Sequence, residues 1–220
     1  MMEVIVGDSA AEAGTKLRHK RVIAADRTAP LALLVHGRAG NYDVMWTFRR
    51  TLPEGISIVA PQAPLPDPLG GYSWWDLEAP DKMRRGAEEA AAQVQNFLEK
   101  YITYYNLAPR TLIAYGFSQG AGLLSVLLQR QPELFAGVAL LAGFVIALDD
   151  PPVSVSLPPV FMAHGERDPA ITLEKARHGA KVLEDKGYQV EFITDDVTHK
   201  VGTLGMRALK NWSANLLQIG

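Results

Sequence analysis

Short apolar, β-branched runs alternate along this chain with longer stretches in which apolar positions recur every three or four residues. That alternation predicts an α/β protein with a mostly parallel, twisted sheet flanked by helices. Strands are expected at 4–6, 20–24, 32–36, 56–60, 111–115, 137–141, 160–163 and 189–193. The clearest helix covers 83–104, where Ala87, Ala90, Ala91, Val94, Phe97, Leu98, Tyr101 and Ile102 form one apolar stripe to pack on the sheet. A second helix is expected to start at Thr172 as N-cap, run through Leu173, Ala176, Ala180 and Leu183, and end at Gly187 as a left-handed C-cap. Residues 121–128 and 201–217 read as two more.

Two stretches break the pattern. Residues 61–81 hold five prolines together with Gly70, Gly71, Tyr72, Trp74 and Trp75, which rules out a long helix or a central strand. Loops of this length inside a domain are usually functional or disordered, and adjacent tryptophans argue for order beside a site. Trp74 and Trp75 are therefore expected either to wall a substrate groove or to clamp the loop onto the core. The second stretch, 143–159, is short and proline-rich.

At 220 residues with 48% hydrophobic content, the chain is expected to form one domain, 1–220, with a sizeable core. A net charge of -2 supplies no basic field for a nucleic acid and no polybasic membrane patch. The absence of cysteine excludes disulfides, Cys-based zinc sites and a thiol nucleophile. The first residues carry Glu3 and Asp8 and lack a basic segment followed by a long apolar one, so no signal peptide is read there. No apolar run has the length of a membrane span. A cytoplasmic location is the expectation, and the composition is compatible with a homodimer.

The chemistry concentrates in Gly116-Phe117-Ser118-Gln119-Gly120, a GxSxG set between the expected strand 111–115 and the helix that follows. A serine on a tight strand-to-helix turn adopts a strained backbone and needs small neighbours, and its hydroxyl then projects clear of the sheet. Such a hydroxyl needs a base within hydrogen-bond reach and an acid to fix the base's tautomer. Among the five histidines, His19 sits in the basic segment 16–21 and is expected to be solvated, and His178 lies mid-helix beside Arg177. His36 and His164 each end a strand before a glycine and are expected to brace loops. His199, six residues past the last strand, is the expected base. Asp168, after the turn that follows 160–163, is the expected acid, with Asp195, Asp196, Asp149 and Asp150 as rivals. Ser118, Asp168 and His199 would all lie beyond the carboxyl ends of parallel strands, in the chain order that suits this architecture.

An oxyanion requires two donors. The backbone N–H of Gln119 is one, and the N–H of Arg38 in the loop His36-Gly37-Arg38-Ala39-Gly40-Asn41 is the natural second. Neither GxxxxGK[ST] nor GxGxxG occurs, HExxH is absent, and the histidines are scattered, so no nucleotide, metal or other cofactor is expected.

Together HGRAGN, GFSQG, LLAGF, HGERDP, the late His199 and the SWFD-like Ser-Trp-Trp-Asp at 73–76 resemble the α/β-hydrolase fold, in particular the small phospholipase/carboxylesterase branch that includes acyl-protein thioesterases. The resemblance runs from about Lys20 through most of the chain. It implies Ser118, Asp168 and His199 as a triad, with Arg38 and Gln119 as oxyanion donors. Larger members of the fold insert a lid after the strand that follows the elbow, and 142–159 is too short for one, so no lid domain is expected. The expected activity is serine carboxylester hydrolysis of short to medium acyl esters. The alternatives are a thioesterase or lysophospholipase on the same triad, or a non-catalytic binding protein that keeps the fold.

Overall fold

Leu31–Val35, Leu112–Phe117, Gly137–Leu141 and Val160–Gly165 are almost wholly buried runs with few polar residues, as strands covered on both faces must be. The computed structural model describes residues 5–7, 14–76, 82–149 and 156–217. Val4, Asp81 and Asp150, which entered the sequence reading, lie outside the described residues. In chain order the strands are β1 (Ile5–Gly7), β2 (His19–Val22), β3 (Leu31–Val35), β4 (Ser57–Pro61), β5 (Leu65–Pro66), β6 (Tyr72–Ser73), β7 (Leu112–Phe117), β8 (Gly137–Leu141), β9 (Val160–Gly165) and β10 (Val190–Asp195). The helices are α1 (Tyr42–Met45), α2 (Met83–Tyr104), α3 (Gln119–Arg130), α4 (Leu173–Asp185) and α5 (Thr203–Leu217).

Eight strands form one sheet in the order β1-β2-β4-β3-β7-β8-β9-β10. From β4 to β10 every neighbouring pair is parallel, whereas β1 and β2 run antiparallel at one edge. Successive side chains divide between two cores because a strand alternates faces. Leu31, Leu33 and Val35 point to the face covered by α2, α3 and α4. Ala32 and Leu34 point to the other, where Met45, Phe48 and α5 residues Leu209, Trp212 and Leu217 close the layer. Helix α3 is buried from Gln119 to Gln129, a position that its apolar composition on all sides demands. Helix α2 lies outside it and buries Ala87, Ala90, Ala91, Val94, Phe97, Leu98 and Tyr101 of the expected stripe, while Ile102 is partly buried against the same core. Each of the larger members contributes roughly 1.5–3 kcal/mol through burial, so Phe97→Ala would undo more of this contact than any alanine along it.

The helix expected at 121–128 begins two residues earlier, and the one expected at 201–217 begins at Thr203. Two features went unforeseen. Residues 42–51 form α1 and a 3-10 turn, started by Asn41, whose side chain accepts from Asp43 N at 2.9 Å and Val44 N at 3.3 Å. The proline-rich stretch contains the small hairpin β5–β6 apart from the main sheet. Between β8 and β9 only 142–159 intervene, and no lid is present among the described residues.

Candidate active site

The loops after β3, β7, β9 and β10 converge beyond the carboxyl ends of their strands, where open parallel sheets bind ligands. Ser118 sits at the β7–α3 junction with φ 51° and ψ -111°, a left-handed backbone that costs a non-glycine residue about 1–3 kcal/mol. Two glycines make this turn fit. A Cβ on Gly116 would lie 2.4 Å from Gly120 O, and one on Gly120 would lie 2.3 Å from Val35 O. The turn is also tied from below, since Ser118 N donates to Leu141 O at 2.9 Å. Although Ser118 occupies the N-cap of α3, its side chain makes no capping bond. Its hydroxyl is instead 3.0 Å from His199 Nε2.

His199 Nδ1 lies 2.7 Å from Asp168 Oδ2. A carboxylate only accepts, so Nδ1 carries the proton and Nε2 presents its lone pair to the serine hydroxyl. The other oxygen of Asp168 accepts from Ala170 N at 2.8 Å and Ile171 N at 3.0 Å. Burial alone would raise this carboxyl, but the bonds from Ile171 N–H, His199 and Ala170 N–H outweigh it and hold the group below the usual value. His164 Nε2 bonds Ile171 O at 2.8 Å and stands 3.4 Å from Asp168 Oδ2, so it braces the Asp168 loop from behind.

The loop bearing His199 rests directly on the loop bearing Asp168. Arg167 N donates to Val197 O at 3.0 Å, and a Cβ on Gly165 would lie 2.1 Å from Thr198 O. The rival acids sit elsewhere. Asp195 caps α5 through Leu204 N at 3.0 Å and Gly205 N at 2.8 Å, Asp196 pairs with Arg167, and Asp149 pairs with Arg84 on the surface.

Arg38 and Gln119 flank Ser118 from the β3 loop and the first turn of α3, and among the described residues neither backbone N–H bonds to the protein. The loop bearing Arg38 is held by a network that sequence reasoning missed. Asp67 accepts from Ser73 Oγ at 2.6 Å, Leu69 N at 2.9 Å and Arg38 Nε at 2.9 Å, contacts that draw its carboxyl down to about 2. Ser73 Oγ in turn accepts from Ala39 N at 3.2 Å, where Ala39 has φ 56°. His36, wholly buried, bonds Gly37 O through Nδ1 at 2.7 Å and accepts from Ala63 N through Nε2 at 2.9 Å. Burial pushes its pKa down to about 4, against a smaller opposing effect of the Gly37 carbonyl, which keeps the ring a neutral brace. The signal for this role was present, since His36 ends a strand before a glycine.

Two expectations need correction. His19 is not solvated: it has no exposed surface and meets the rings of Phe97 and Tyr101 at 5.3 and 5.5 Å, because β2 turns it into the core against α2. Trp74 and Trp75 do not form an open aromatic wall, being only 3% and 4% exposed within the core beneath α2. Trp74 Nε1 donates to His36 O at 2.8 Å, and the Gln119 side chain spans Trp74 N and Trp75 O at 2.9 Å each. Of the two readings of the pair, burial favours the clamp. What surface remains to them edges a cavity of about 500 Å³ shared with Pro64, Leu65 and Arg85. A separate cavity of about 400 Å³ is lined by Gly37 and Arg38 and by Phe117 and Lys200, the sequence neighbours of Ser118 and His199, which do not themselves line it.

Among the described residues no cluster of three or more His, Asp or Glu side chains could hold a metal, and no helix is long and apolar enough to cross a membrane.

Residues 19–216 match the family model described as phospholipase/carboxylesterase. An acyl-protein thioesterase 1 from Neurospora crassa is 29% identical over 181 residues, spanning 72% of each chain. One from Debaryomyces hansenii is 26% identical over 207 residues, spanning 79% of this chain and 85% of that one. The crystal structure of esterase PE8 superposes with a TM-score of 0.80 at 24% identity, covering 91% of this chain and 99% of the other. The Bacillus cereus carboxylesterase does so at 0.77 and 19%, covering 91% and 94%, and both likenesses speak to the fold. The chain belongs to the phospholipase/carboxylesterase family, and it is an enzyme of the hydrolase class.

Proposed function

We propose that this protein hydrolyses short to medium carboxylic esters through a serine acyl-enzyme, with Ser118 as nucleophile, His199 as general base and acid, and Asp168 as the group that orients His199. The observation that carries this reading is the relay Ser118 Oγ, His199 Nε2, Asp168 at 3.0 and 2.7 Å. His199 takes the hydroxyl proton as Ser118 Oγ bonds to the ester carbon, and the negative charge moves to the carbonyl oxygen. The backbone N–H groups of Arg38 and Gln119 receive that oxyanion, and such donors act strongly because they need no reorganisation. The tetrahedral carbon expels the alcohol, which takes its proton from His199. Water then repeats the sequence on the acyl-enzyme and releases the acid.

The preference for short to medium chains is supported by the shortness of 142–159, too few residues for an inserted lid, and by the size of the cavity lined by Arg38 and Phe117. At about 30 Å³ per water-sized group, 400 Å³ holds on the order of a dozen non-hydrogen atoms. The names of the fungal relatives favour a second reading, in which a thioester is cleaved by the same steps with a thiol leaving. The test is kcat/KM for p-nitrophenyl esters of graded length beside a matched thioester and a lysophospholipid, for the wild type and Ser118→Ala. Turnover that peaks at short to medium esters and vanishes in Ser118→Ala is expected. A dominant thioester rate selects the second reading, and undiminished turnover in Ser118→Ala overturns both.

A further inference from the structure

We propose that the cavity beside Ser118 is a recognition site for a carboxylate on the substrate, so that the preferred ester carries a free carboxylate a few bonds from the scissile group. This rests on the hydrolase reading above and names the substrate class for the same site. The cavity, about 400 Å³, has an apolar floor of Met45, Phe48, Phe117, Val201 and Met206. Its polar rim is cationic: Arg38, Arg50 and Lys200 line it, and no acidic residue does. The chain carries a net charge of -2, so Arg50 and Lys200, two cations without a carboxylate partner among the described residues, make a local excess against the overall balance.

The three are not equivalent. Arg38 is engaged by Asp67 through Nε at 2.9 Å. Arg50 and Lys200 have no ion-pair partner among the described residues, and Lys200 directly follows the base His199. Any ester seated with its carbonyl oxygen between Arg38 N and Gln119 N has one arm next to this space. An uncharged arm leaves both cations to solvent, whereas an arm that is apolar near the scissile bond and anionic at its end satisfies floor and rim together. Because the rim is exposed, the attraction acts on encounter and orientation and is screened by salt.

The experiment compares esters that place the anion on either side of the scissile bond with neutral counterparts. Mono-p-nitrophenyl adipate against its methyl ester tests the acyl arm, and 4-acetoxybenzoate against methyl 4-acetoxybenzoate tests the alcohol arm. On at least one arm, kcat/KM for the anionic ester is expected to exceed that of its partner about fivefold or more at low ionic strength, in line with one or two exposed ion pairs. That ratio should fall toward unity in Arg50→Gln and Lys200→Gln and in 0.5 M sodium chloride. Ratios at or below unity on both arms, or a preference indifferent to both substitutions and to salt, overturn the proposal. Calorimetric binding of adipate and 4-hydroxybenzoate to wild type and both variants gives a readout independent of turnover. If no ester is cleaved, the hydrolase reading falls, while carboxylate binding weakened in the variants still supports the site and equal or absent binding overturns it.

Discussion

Asp168→Asn isolates the tautomer argument, because the surroundings dictate which way the new amide must face. Asp168 Oδ1 accepts two backbone N–H groups, from Ala170 at 2.8 Å and Ile171 at 3.0 Å, on a side chain with no exposed surface. An amide NH2 turned toward them would leave both donors without an acceptor, at about 1–3 kcal/mol each. Asparagine therefore keeps its oxygen on the backbone donors and points its NH2 at His199 Nδ1. The imidazole then accepts at Nδ1 and carries its proton on Nε2, where it can only donate to Ser118 Oγ and has no lone pair with which to serve as base. The imidazolium formed in the reaction also loses its counter-charge. Together these should lower kcat by about 10³ to 10⁴, or roughly 4 to 5.5 kcal/mol in the barrier. The assay is steady-state turnover of a p-nitrophenyl ester at pH 8, with circular dichroism confirming that the variant is folded. A variant within tenfold of wild type would show that Asp168 does not set the tautomer of His199, as would an equal loss in Asp196→Asn, whose carboxylate meets Arg167 on the surface.

Asp195→Ala removes the acceptors for Leu204 N and Gly205 N and should cost about 1–2 kcal/mol of stability, measured by urea unfolding, with kcat within a few fold; a loss of kcat without destabilisation contradicts this. Gly120→Ala drives a Cβ to 2.3 Å from Val35 O and 2.6 Å from His36 O, so a drop of about 3 kcal/mol and loss of turnover are expected, and an unchanged melting temperature counts against the close-packed elbow. Trp74→Ala should destabilise by about 3–5 kcal/mol and leave chain-length preference alone; intact stability with a raised KM for longer esters restores the groove-wall reading. His36 has a folded pKa of about 4 against 6.5, so the unfolded chain binds its proton first and stability falls as pH drops through that window. The decrease in unfolding free energy from pH 7 to pH 4.5 should be smaller in His36→Gln, and equal decreases would show that His36 is not the group responsible.

What could be read from the chain and what could not divide along a physical line. The strands β3, β7, β8 and β9 were legible because burial on both faces forces unbroken apolar runs, and α2 because one buried face imposes its stripe. The turn around Ser118 was legible because its steric demands require glycine at fixed offsets. Contacts between distant residues left no local trace. The network around Asp67 ties Ser73 to Arg38, which lies 29 residues before Asp67, and nothing near Asp67 announces it. His19 misled because its basic neighbours suggest solvent, while alternation along β2 sends its ring inward against Phe97. For the tryptophans the sequence left groove wall and core clamp both open, because the hydrogen bonds that favour the clamp, to His36 O and the Gln119 side chain, join residues far apart in the chain.

Covalent capture reports whether Ser118 is an activated nucleophile without reference to any substrate. The protein should react stoichiometrically with a fluorophosphonate, gaining one phosphonyl adduct in the intact mass and losing ester turnover in parallel. Peptide mapping should place that adduct on Ser118, and Ser118→Ala should take up none. An adduct mapped to another residue, or a wild-type protein that hydrolyses esters at full rate while remaining unlabelled, would contradict the account.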